Sequence, residues 1–200
     1  MRNHQILILG LAVLCLARSA SAFEYEGAGV RVGVASVFHD FQFEKAQLFD
    51  PDSEKTLVGG VSLKWRSSRR ARFLILTEAW YQRVGFRRLD NLVWAEMLSL
   101  PLLLRSSVAT NDPRVYVAFG PSLEILLSND DDAVLNQYRS FALAGQAALG
   151  IEKDLSRRLA ASLELRFSSE FTNIYEPRDD ADTLVSVRHR LFELTAGISF

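Results

Sequence analysis

The 200-residue sequence has little cysteine, no long apolar run beyond its N-terminal segment and no excess of charge of one sign. Its one cysteine, Cys15, lies in that segment, so the rest of the chain can form no disulfide, thiolate metal site or cysteine nucleophile. Without a run of about 18 apolar residues, positions 23–200 hold no candidate transmembrane helix. The 23 basic and 24 acidic residues give a formal charge of −1, so we expect no nucleic-acid partner.

The N-terminal segment has the three parts of a secretory signal peptide. Arg2 precedes an apolar run at 6–17, and small residues follow at 18–22 around an Ala-x-Ala site. We therefore expect cleavage that divides the chain into a signal peptide at 1–22 and one domain at 23–200. The apolar run, about 12 residues, is too short to cross a bilayer as a helix.

The last ten residues alternate between two kinds of side chain. One parity is apolar, with Phe192, Leu194, Ala196, Ile198 and Phe200, and the other is polar or small at most positions. A period of two is typical of a strand whose faces meet different surroundings, and small residues on the polar face suit a narrow lumen. A closing strand that ends in Phe200 resembles the signal by which bacterial outer-membrane barrels are recognised for insertion. We therefore expect barrel-assembly machinery and outer-membrane lipid as partners.

Eight such segments are predicted. They cover 28–43, 57–66, 72–83, 92–105, 114–128, 141–152, 159–171 and 187–200. Most exceed the roughly 9–11 residues that a tilted strand needs to cross a bilayer. The connections are mostly short at one end and longer at the other, with 85–91 as the exception. An eight-stranded antiparallel transmembrane β-barrel has this layout, with both termini on the periplasmic side.

A soluble sandwich or lipocalin shows the same alternation but places its apolar residues inside. The signal peptide and the terminal Phe200 favour the membrane. Aromatic residues near both ends of the predicted strands add support, because lipid interfaces select two aromatic belts. The inner belt would hold Trp65, Phe73 and Phe200, and the outer belt Phe38, Tyr81, Phe141, Phe167 and Phe192.

The fourth segment conflicts with this pattern at one position. Glu96 shares a parity with every second residue of 98–104, all of them leucine, which would place its carboxylate in lipid at a cost of a few kcal/mol near the midplane. A bulge near Glu96, or a position above the hydrocarbon, would remove the conflict. Pro101 cannot donate a ladder hydrogen bond, so we expect a local irregularity there.

Three stretches carry a family resemblance. LSLPLLLR at 98–105 and VYVAFGPS at 115–122 resemble the central signature of the PorT-like outer-membrane β-barrel family, and TEAWYQRVG at 77–85 is similar to its third strand and following loop. The likeness covers essentially all of 23–200. It implies an eight-stranded barrel of a Gram-negative outer membrane. It supplies no catalytic residues, and a link to secretion comes from the member that gave the family its name.

The inward parity predicts a charged interior. Seven ionisable side chains take it: Arg31, Lys64, Glu78, Glu124, Glu164, Arg166 and Glu193. An eight-stranded barrel is only wide enough for its own side chains. We therefore expect these charges to pair into a plug, because an unpaired buried charge is unfavourable, and we expect no path for solutes or ions.

Two histidines mark the predicted outer rim. His39 lies near the top of the first strand and His189 near the top of the last, and closing the barrel makes these strands neighbours. With Asp40, Glu170 and Ser186, they could supply the base, orienter and nucleophile of a lipid hydrolase. Two rim histidines beside solvated loops are the simpler interpretation, because spacing without a motif is weak evidence.

Charged residues also cluster in the connections. Carboxylates at 130–132 and 176–182 could bind Ca²⁺ or bridge Mg²⁺ to lipopolysaccharide phosphates, but no twelve-residue calcium loop is present. Arginines crowd 66–72 and could meet anionic headgroups or a periplasmic partner. Solvated loops and turns are the simpler interpretation of both.

The sequence therefore predicts an all-β protein of the bacterial outer membrane with a filled lumen. We expect no catalytic residue, cofactor or metal, and a structural or interaction role at the cell envelope, with an envelope or secretion protein as a possible partner. The alternative is an outer-membrane lipid-modifying hydrolase that uses His39 and His189. A third interpretation is a soluble periplasmic lipid carrier.

Overall fold

The computed structural model describes residues 23–43, 49–50, 54–66, 73–88, 91–109, 111–129, 140–172 and 184–200. The predicted signal peptide at 1–22 and the acidic clusters at 130–132 and 176–182 lie outside these ranges. No helix in the described ranges is long and apolar enough to cross a membrane.

The described residues form nine β-strands. They are β1 (Glu24–Phe43), β2 (Phe49–Asp50), β3 (Glu54–Arg66), β4 (Phe73–Arg88), β5 (Asn91–Ala109), β6 (Arg114–Asn129), β7 (Phe141–Ser156), β8 (Leu159–Glu170) and β9 (Leu184–Ser199). All except β2 form a closed antiparallel ring in the order β1-β3-β4-β5-β6-β7-β8-β9, which the pairing of β1 with β9 completes. The two-residue β2 pairs with the end of β4. The prediction of an eight-stranded antiparallel barrel is confirmed, and each predicted segment matches a strand to within five residues at either end.

Alternation along the strands separates two surfaces. Outward positions carry exposed apolar side chains, among them Val32, Val34, Leu63, Phe119, Leu149, Leu163, Leu165, Leu194 and Ile198. Many inward positions carry buried polar or charged side chains; Glu164 and Arg166 are each 1% exposed. A soluble sandwich or lipocalin has the opposite arrangement, so the soluble-carrier interpretation does not fit this fold.

Glycine makes room for large side chains in the lumen, as the narrow-lumen prediction requires. A Cβ on Gly197 would lie 2.3 Å from Arg31 Cγ and 2.8 Å from the carbonyl oxygen of Val30. A Cβ on Gly150 would lie 2.3 Å from Cζ of Tyr116, which pairs with it across β6 and β7. Both distances are too short for a real carbon, so these two glycines allow the Arg31 and Tyr116 side chains to cross the barrel interior.

The irregularity predicted at Pro101 is present in β5. Pairing between β4 and β5 runs to Thr77–Leu102 and resumes at Trp80–Ser99, so Pro101 falls in the gap. Because proline has no N–H, it cannot donate a ladder hydrogen bond to β4, which is consistent with the break in pairing at this position.

Glu96 keeps the outward parity that conflicted with lipid. A register shift separates Glu96 from Met97 in the pairing with β6, but the inside–outside alternation of β5 continues through it. The carboxylate lies 3.9 Å from Arg83 Nε and accepts a hydrogen bond of 3.2 Å from Ser128 Oγ. Arg83 in turn lies over Trp94, 5.2 Å from the ring centroid. Glu96 is thus near the outer end of the barrel with a charged partner, and the bulge does not turn it inward.

Aromatic residues pair across neighbouring strands at both ends. Tyr25 and Trp65 contact each other edge to face at 5.7 Å between centroids, near the end that holds the first residues of β1. At the other end Phe192 contacts Phe38 at 5.7 Å and Phe167 at 4.9 Å. These contacts join three adjacent strands, β1, β9 and β8, as an interfacial belt would.

An apolar layer crosses the lumen toward the loop end. Val37, Val84, Met97, Ala142 and Leu191 form one buried cluster, each at most 3% exposed. These residues lie in β1, β4, β5, β7 and β9, near the end of the barrel opposite the termini. We call them the apolar layer. It separates the charged interior from that end of the barrel.

Candidate functional site

All seven ionisable side chains predicted to face the lumen are buried. Their exposed fractions range from 1% to 8% for Arg31, Lys64, Glu78, Glu124, Glu164, Arg166 and Glu193. The strands place them there through strict alternation, since the residues on either side of each face outward. The prediction of a charged interior is confirmed.

Two arginines and two glutamates form a closed ring at the centre of the lumen. Arg31 Nη1 lies 3.2 Å from Glu78 Oε1 and 3.0 Å from Glu164 Oε2. Arg166 Nη2 lies 2.7 Å from Glu78 Oε2 and 2.7 Å from Glu164 Oε1. Each arginine therefore bridges the same two carboxylates, and charges alternate around the ring. We call these four residues the central ring.

Aromatic side chains complete the hydrogen bonds of the central ring. Tyr116 Oη donates to Glu164 Oε2 at 2.8 Å, and Trp80 Nε1 donates to Glu78 Oε2 at 3.0 Å. The Trp80 ring also lies under the Arg166 guanidinium, 4.6 Å from its centroid. The two carboxylates thus accept from neutral donors as well as cations, which offsets part of the cost of removing them from water.

The other two predicted acids of the upper lumen are held differently. Glu124 Oε1 accepts hydrogen bonds from Ser99 Oγ at 2.8 Å and Ser122 Oγ at 2.6 Å. Glu193 Oε2 lies 4.0 Å from Arg166 Nε, at the edge of ion-pair distance. Sequence analysis placed both acids in the lumen, but only the structure shows which of them has a close cationic partner.

A second ion-pair cluster lies toward the end with the chain termini. Glu152 accepts from Lys64 Nζ at 2.8 Å, from Arg105 at 3.0 Å and from Arg114 Nη2 at 3.1 Å. Arg105 and Glu152 are not among the predicted luminal residues, because each is the last residue of a predicted segment. The signal was present, since Arg105 shares the inward parity of Ser99 and Glu152 alternates with the outward Ile151.

The described interior is thus filled with paired side chains. The central ring is at most 5% exposed, and the apolar layer closes the lumen above it. An ion that moved through this space would have to separate buried ion pairs, and no water would be there to solvate the separated charges. Chemically, the arrangement can hold the strands in register.

The rim histidines are neighbours, as predicted. His39 pairs directly with His189 across β1 and β9. His189 is 1% exposed, its Nδ1 lies 3.6 Å from Glu170 Oε1, and its backbone N–H donates to Glu170 Oε2 at 2.8 Å. The side chains of His39, Asp40 and Ser186 lie outside those that the structure describes. His189, a proposed base, therefore lies close to the carboxylate of Glu170. The position of the proposed nucleophile, the side chain of Ser186, is not described.

Of the arginines at 66–72, the structure describes only Arg66, which pairs with Glu26. Among the residues that the structure describes, no group of three or more His, Cys, Asp or Glu side chains could hold a metal ion.

The closed ring, the apolar exterior and the ion-paired interior define a class of protein, the small outer-membrane β-barrel fold. The structure of Neisserial surface protein A superposes with a TM-score of 0.54 at 15% identity, covering 88% of this chain and 97% of that protein. At this identity the likeness establishes the fold alone.

Two further solved structures are similar over the same region. The outer-membrane protein AlkL has 14% identity and a TM-score of 0.49, covering 87% of this chain and 90% of its own. OprG of Pseudomonas aeruginosa has 13% identity and a TM-score of 0.48, covering 87% and 95%. The sequence matches no protein-family model and no curated protein. The resemblance to the PorT-like family is therefore not established, whereas the barrel class that it implied is.

Proposed function

We propose that the protein is an integral protein of the bacterial outer membrane that forms no open pore and has a structural or binding role at the cell envelope. The observation that carries this proposal is the combination of an apolar exterior with an ion-paired interior. The apolar exterior would be unfavourable in a soluble barrel, because its outward leucines and valines would face water.

The exterior fits lipid over the height of the barrel. Val32, Val34, Leu165 and Leu194 are each about half exposed or more, and they lie on adjacent strands β1, β9 and β8. Leu165 lies directly beside Leu194. In a bilayer this surface is solvated by acyl chains, and every backbone N–H and C=O of a closed barrel can pair internally.

The interior favours binding or structure over passive transport. The central ring and the apolar layer occupy successive levels of the lumen, so a solute would meet a charged barrier and then an apolar one. Opening the central ring for each passing solute would require breaking its buried ion pairs. We therefore propose that the protein acts through the ends of the barrel.

Conductance in planar lipid bilayers tests the absence of a pore. We expect the refolded wild-type protein to give no conductance steps. A variant with Arg31→Ser, Glu78→Ser, Tyr116→Ser, Glu164→Ser and Arg166→Ser removes the central ring but leaves the apolar layer, so we expect no conductance from it either. Adding Met97→Gly and Leu191→Gly opens the apolar layer as well, and this combined variant should conduct if it folds. Steady wild-type conductance would contradict the proposal.

Fractionation of cells that express the protein tests its location. We expect the protein in the outer-membrane fraction, extracted only with detergent. Recovery in the aqueous periplasmic extract would contradict the proposal. Affinity purification from the same membranes then distinguishes a binding role, with a stoichiometric partner, from a purely structural one.

The finer alternatives have less support. The hydrolase hypothesis retains the His189–Glu170 contact but has no placed nucleophile, and no described feature favours an accessory role in secretion. Recognition of Phe200 by barrel-assembly machinery stays a prediction.

A further inference from the structure

The end of the barrel that holds the chain termini contains an open cavity of about 380 Å³. Six basic side chains line it: Lys64, Arg66, Arg105, Arg114, Arg157 and Arg158. Three acids share the lining: Glu26, Glu152 and Asp154. We call this cavity the basic vestibule. Its lining has twice as many basic as acidic side chains, although the chain as a whole is almost neutral.

The acids of the basic vestibule are already engaged. Glu152 contacts three bases, as described above, Glu26 pairs with Arg66, and Asp154 pairs with Arg114. Arg157 and Arg158, in the turn between β7 and β8, have no ion-pair partner among the described residues. The cationic excess is therefore not neutralised by the described part of the chain.

Three arginines also have unused hydrogen-bond donors. The Nε atoms of Arg66, Arg105 and Arg114 are buried and have no hydrogen-bond acceptor among the described residues. Arg105 as a whole is 2% exposed. A buried donor without an acceptor is unfavourable, so these three guanidinium groups are not fully satisfied by the described part of the chain.

The basic vestibule is closed at its inner end. The Arg105 guanidinium stacks on the Tyr116 ring at 3.7 Å, and Tyr116 is fully buried and hydrogen-bonded to Glu164 of the central ring. This stack forms a rigid floor. A ligand could therefore enter from the open end and be retained, but it would not pass into the lumen.

We propose that the basic vestibule binds a phosphate group carried by a small anionic ligand. Guanidinium groups present paired N–H donors that match phosphate oxygens, and charge-assisted hydrogen bonds of this kind are the strong ones. The volume is within the range of small-molecule sites. The phosphate could belong to a free phosphorylated solute or to a phospholipid headgroup of the adjacent leaflet, because the exposed apolar Leu159 and Phe200 also line the opening. The assignment of this end to the periplasm rests on the proposed function; the binding itself does not.

The test uses the folded full barrel in dodecyl maltoside micelles, which carry no phosphate. Calorimetric titration with inorganic phosphate and with glycerol 3-phosphate measures the solute source. Native mass spectrometry of the protein in nanodiscs that contain phosphatidylglycerol measures the lipid source. The test variant is Arg157→Gln with Arg158→Gln, since both side chains are exposed at a turn and their loss should leave the fold intact.

A matched control and a second variant complete the design. Lys153→Gln removes a cation near the same end of the barrel, but Lys153 faces outward and does not line the basic vestibule. Arg105→Gln removes the stacked floor residue and is compared only if its tryptophan emission matches that of the wild type.

We expect saturable binding of one of the probes, weakened about tenfold for each arginine removed and unchanged in Lys153→Gln. Binding of phosphate or glycerol 3-phosphate in the phosphate-free micelles supports the solute source. Retention of one phosphatidylglycerol, without solute binding, supports the lipid source. Absence of all binding, or binding equal in wild type and double variant, overturns the proposal. That failure would leave the barrel folded and non-conducting, so it differs from failure of the proposed function.

Discussion

Inward-facing and outward-facing side chains of the same strand have different roles in this protein. Arg166 and Glu164, each 1% exposed, lie two residues apart on β8, with the exposed Leu165 between them. The inward residues lose their hydration on burial, and the ion pairs of the central ring compensate for it. The outward Leu165 has only to lie in an apolar environment. Because the charges of the central ring balance one another, removing one member leaves its partners buried without a counter-charge. The free energy of unfolding should therefore fall by more than the net stabilisation that the removed ion pairs provide.

Removal of Arg166 tests this imbalance. Arg166→Met leaves Glu78 and Glu164 sharing one cation and Glu193 without its nearest one, so the free energy of unfolding should fall by about 3–5 kcal/mol. Denaturant unfolding in lipid vesicles, followed by tryptophan fluorescence, measures the change. The control Lys153→Met, at an exposed position, should stay within about 0.5 kcal/mol of the wild type. Equal stability of the two variants would mean that the central ring does not stabilise the barrel.

Gly197 offers a second test, of the space in the lumen. A Cβ at this position would meet the backbone oxygen of Val30 at 2.8 Å as well as Arg31, so Gly197→Ala should destabilise the barrel by about 1–3 kcal/mol. In the control, Gly59→Ala, the nearest atom would be 3.8 Å away, and stability should be unchanged or slightly higher. A neutral Gly197→Ala variant would show that the interior can relax around one methyl group.

Strands in this barrel are defined by the environment of each face. In β8 the outward residues Leu159, Leu163 and Leu165 alternate with buried Ala160, Glu164 and Arg166. A charge introduced at an outward position should therefore lower the free energy of unfolding by an amount that depends on its depth in the membrane. On a soluble strand the same change would have little effect.

Two outward leucines at different heights test that dependence. Leu163, 46% exposed, lies midway along β8, and Leu155, 57% exposed, lies next to the β7–β8 turn. We expect Leu163→Arg to lower the free energy of unfolding from lipid vesicles by about 2–4 kcal/mol and Leu155→Arg by about 0–1 kcal/mol. Equal effects would argue against a membrane-spanning exterior.

The barrel as a unit has two unlike ends. The basic vestibule opens at the end with the termini, and the apolar layer lies toward the end with the longer connections. An even number of barrel strands brings both termini to the same side, which the proposed function assigns to the periplasm.

Cysteine labelling in cells tests this orientation, because the only cysteine of the chain, Cys15, lies in the expected signal peptide. Asn111→Cys is in the β5–β6 turn at the end with the termini, and Ser140→Cys is at an exposed position just before β7, at the opposite end. A membrane-impermeant maleimide should label Ser140→Cys in intact cells and Asn111→Cys only after the outer membrane is permeabilised. The reverse labelling pattern would invert the barrel and place the basic vestibule at the cell surface.

Alternation was enough to predict the strands and the residues that share a face, because a period of two fixes the face of every residue once a strand is recognised. The expected signal peptide and Phe200 then favoured a membrane barrel, in which the seven charges face the lumen. The prediction was incomplete at strand ends. Arg105 and Glu152, the last residues of their predicted segments, were not assigned to the luminal face although both belong to it. Only the closed barrel decides which charges meet, since Arg31 and Glu164 are 133 residues apart in the chain. The same is true of the basic vestibule: its basic side chains come from three strands, β3, β5 and β6, and from the β7–β8 turn. Strand register and barrel closure, which no local pattern specifies, bring them together.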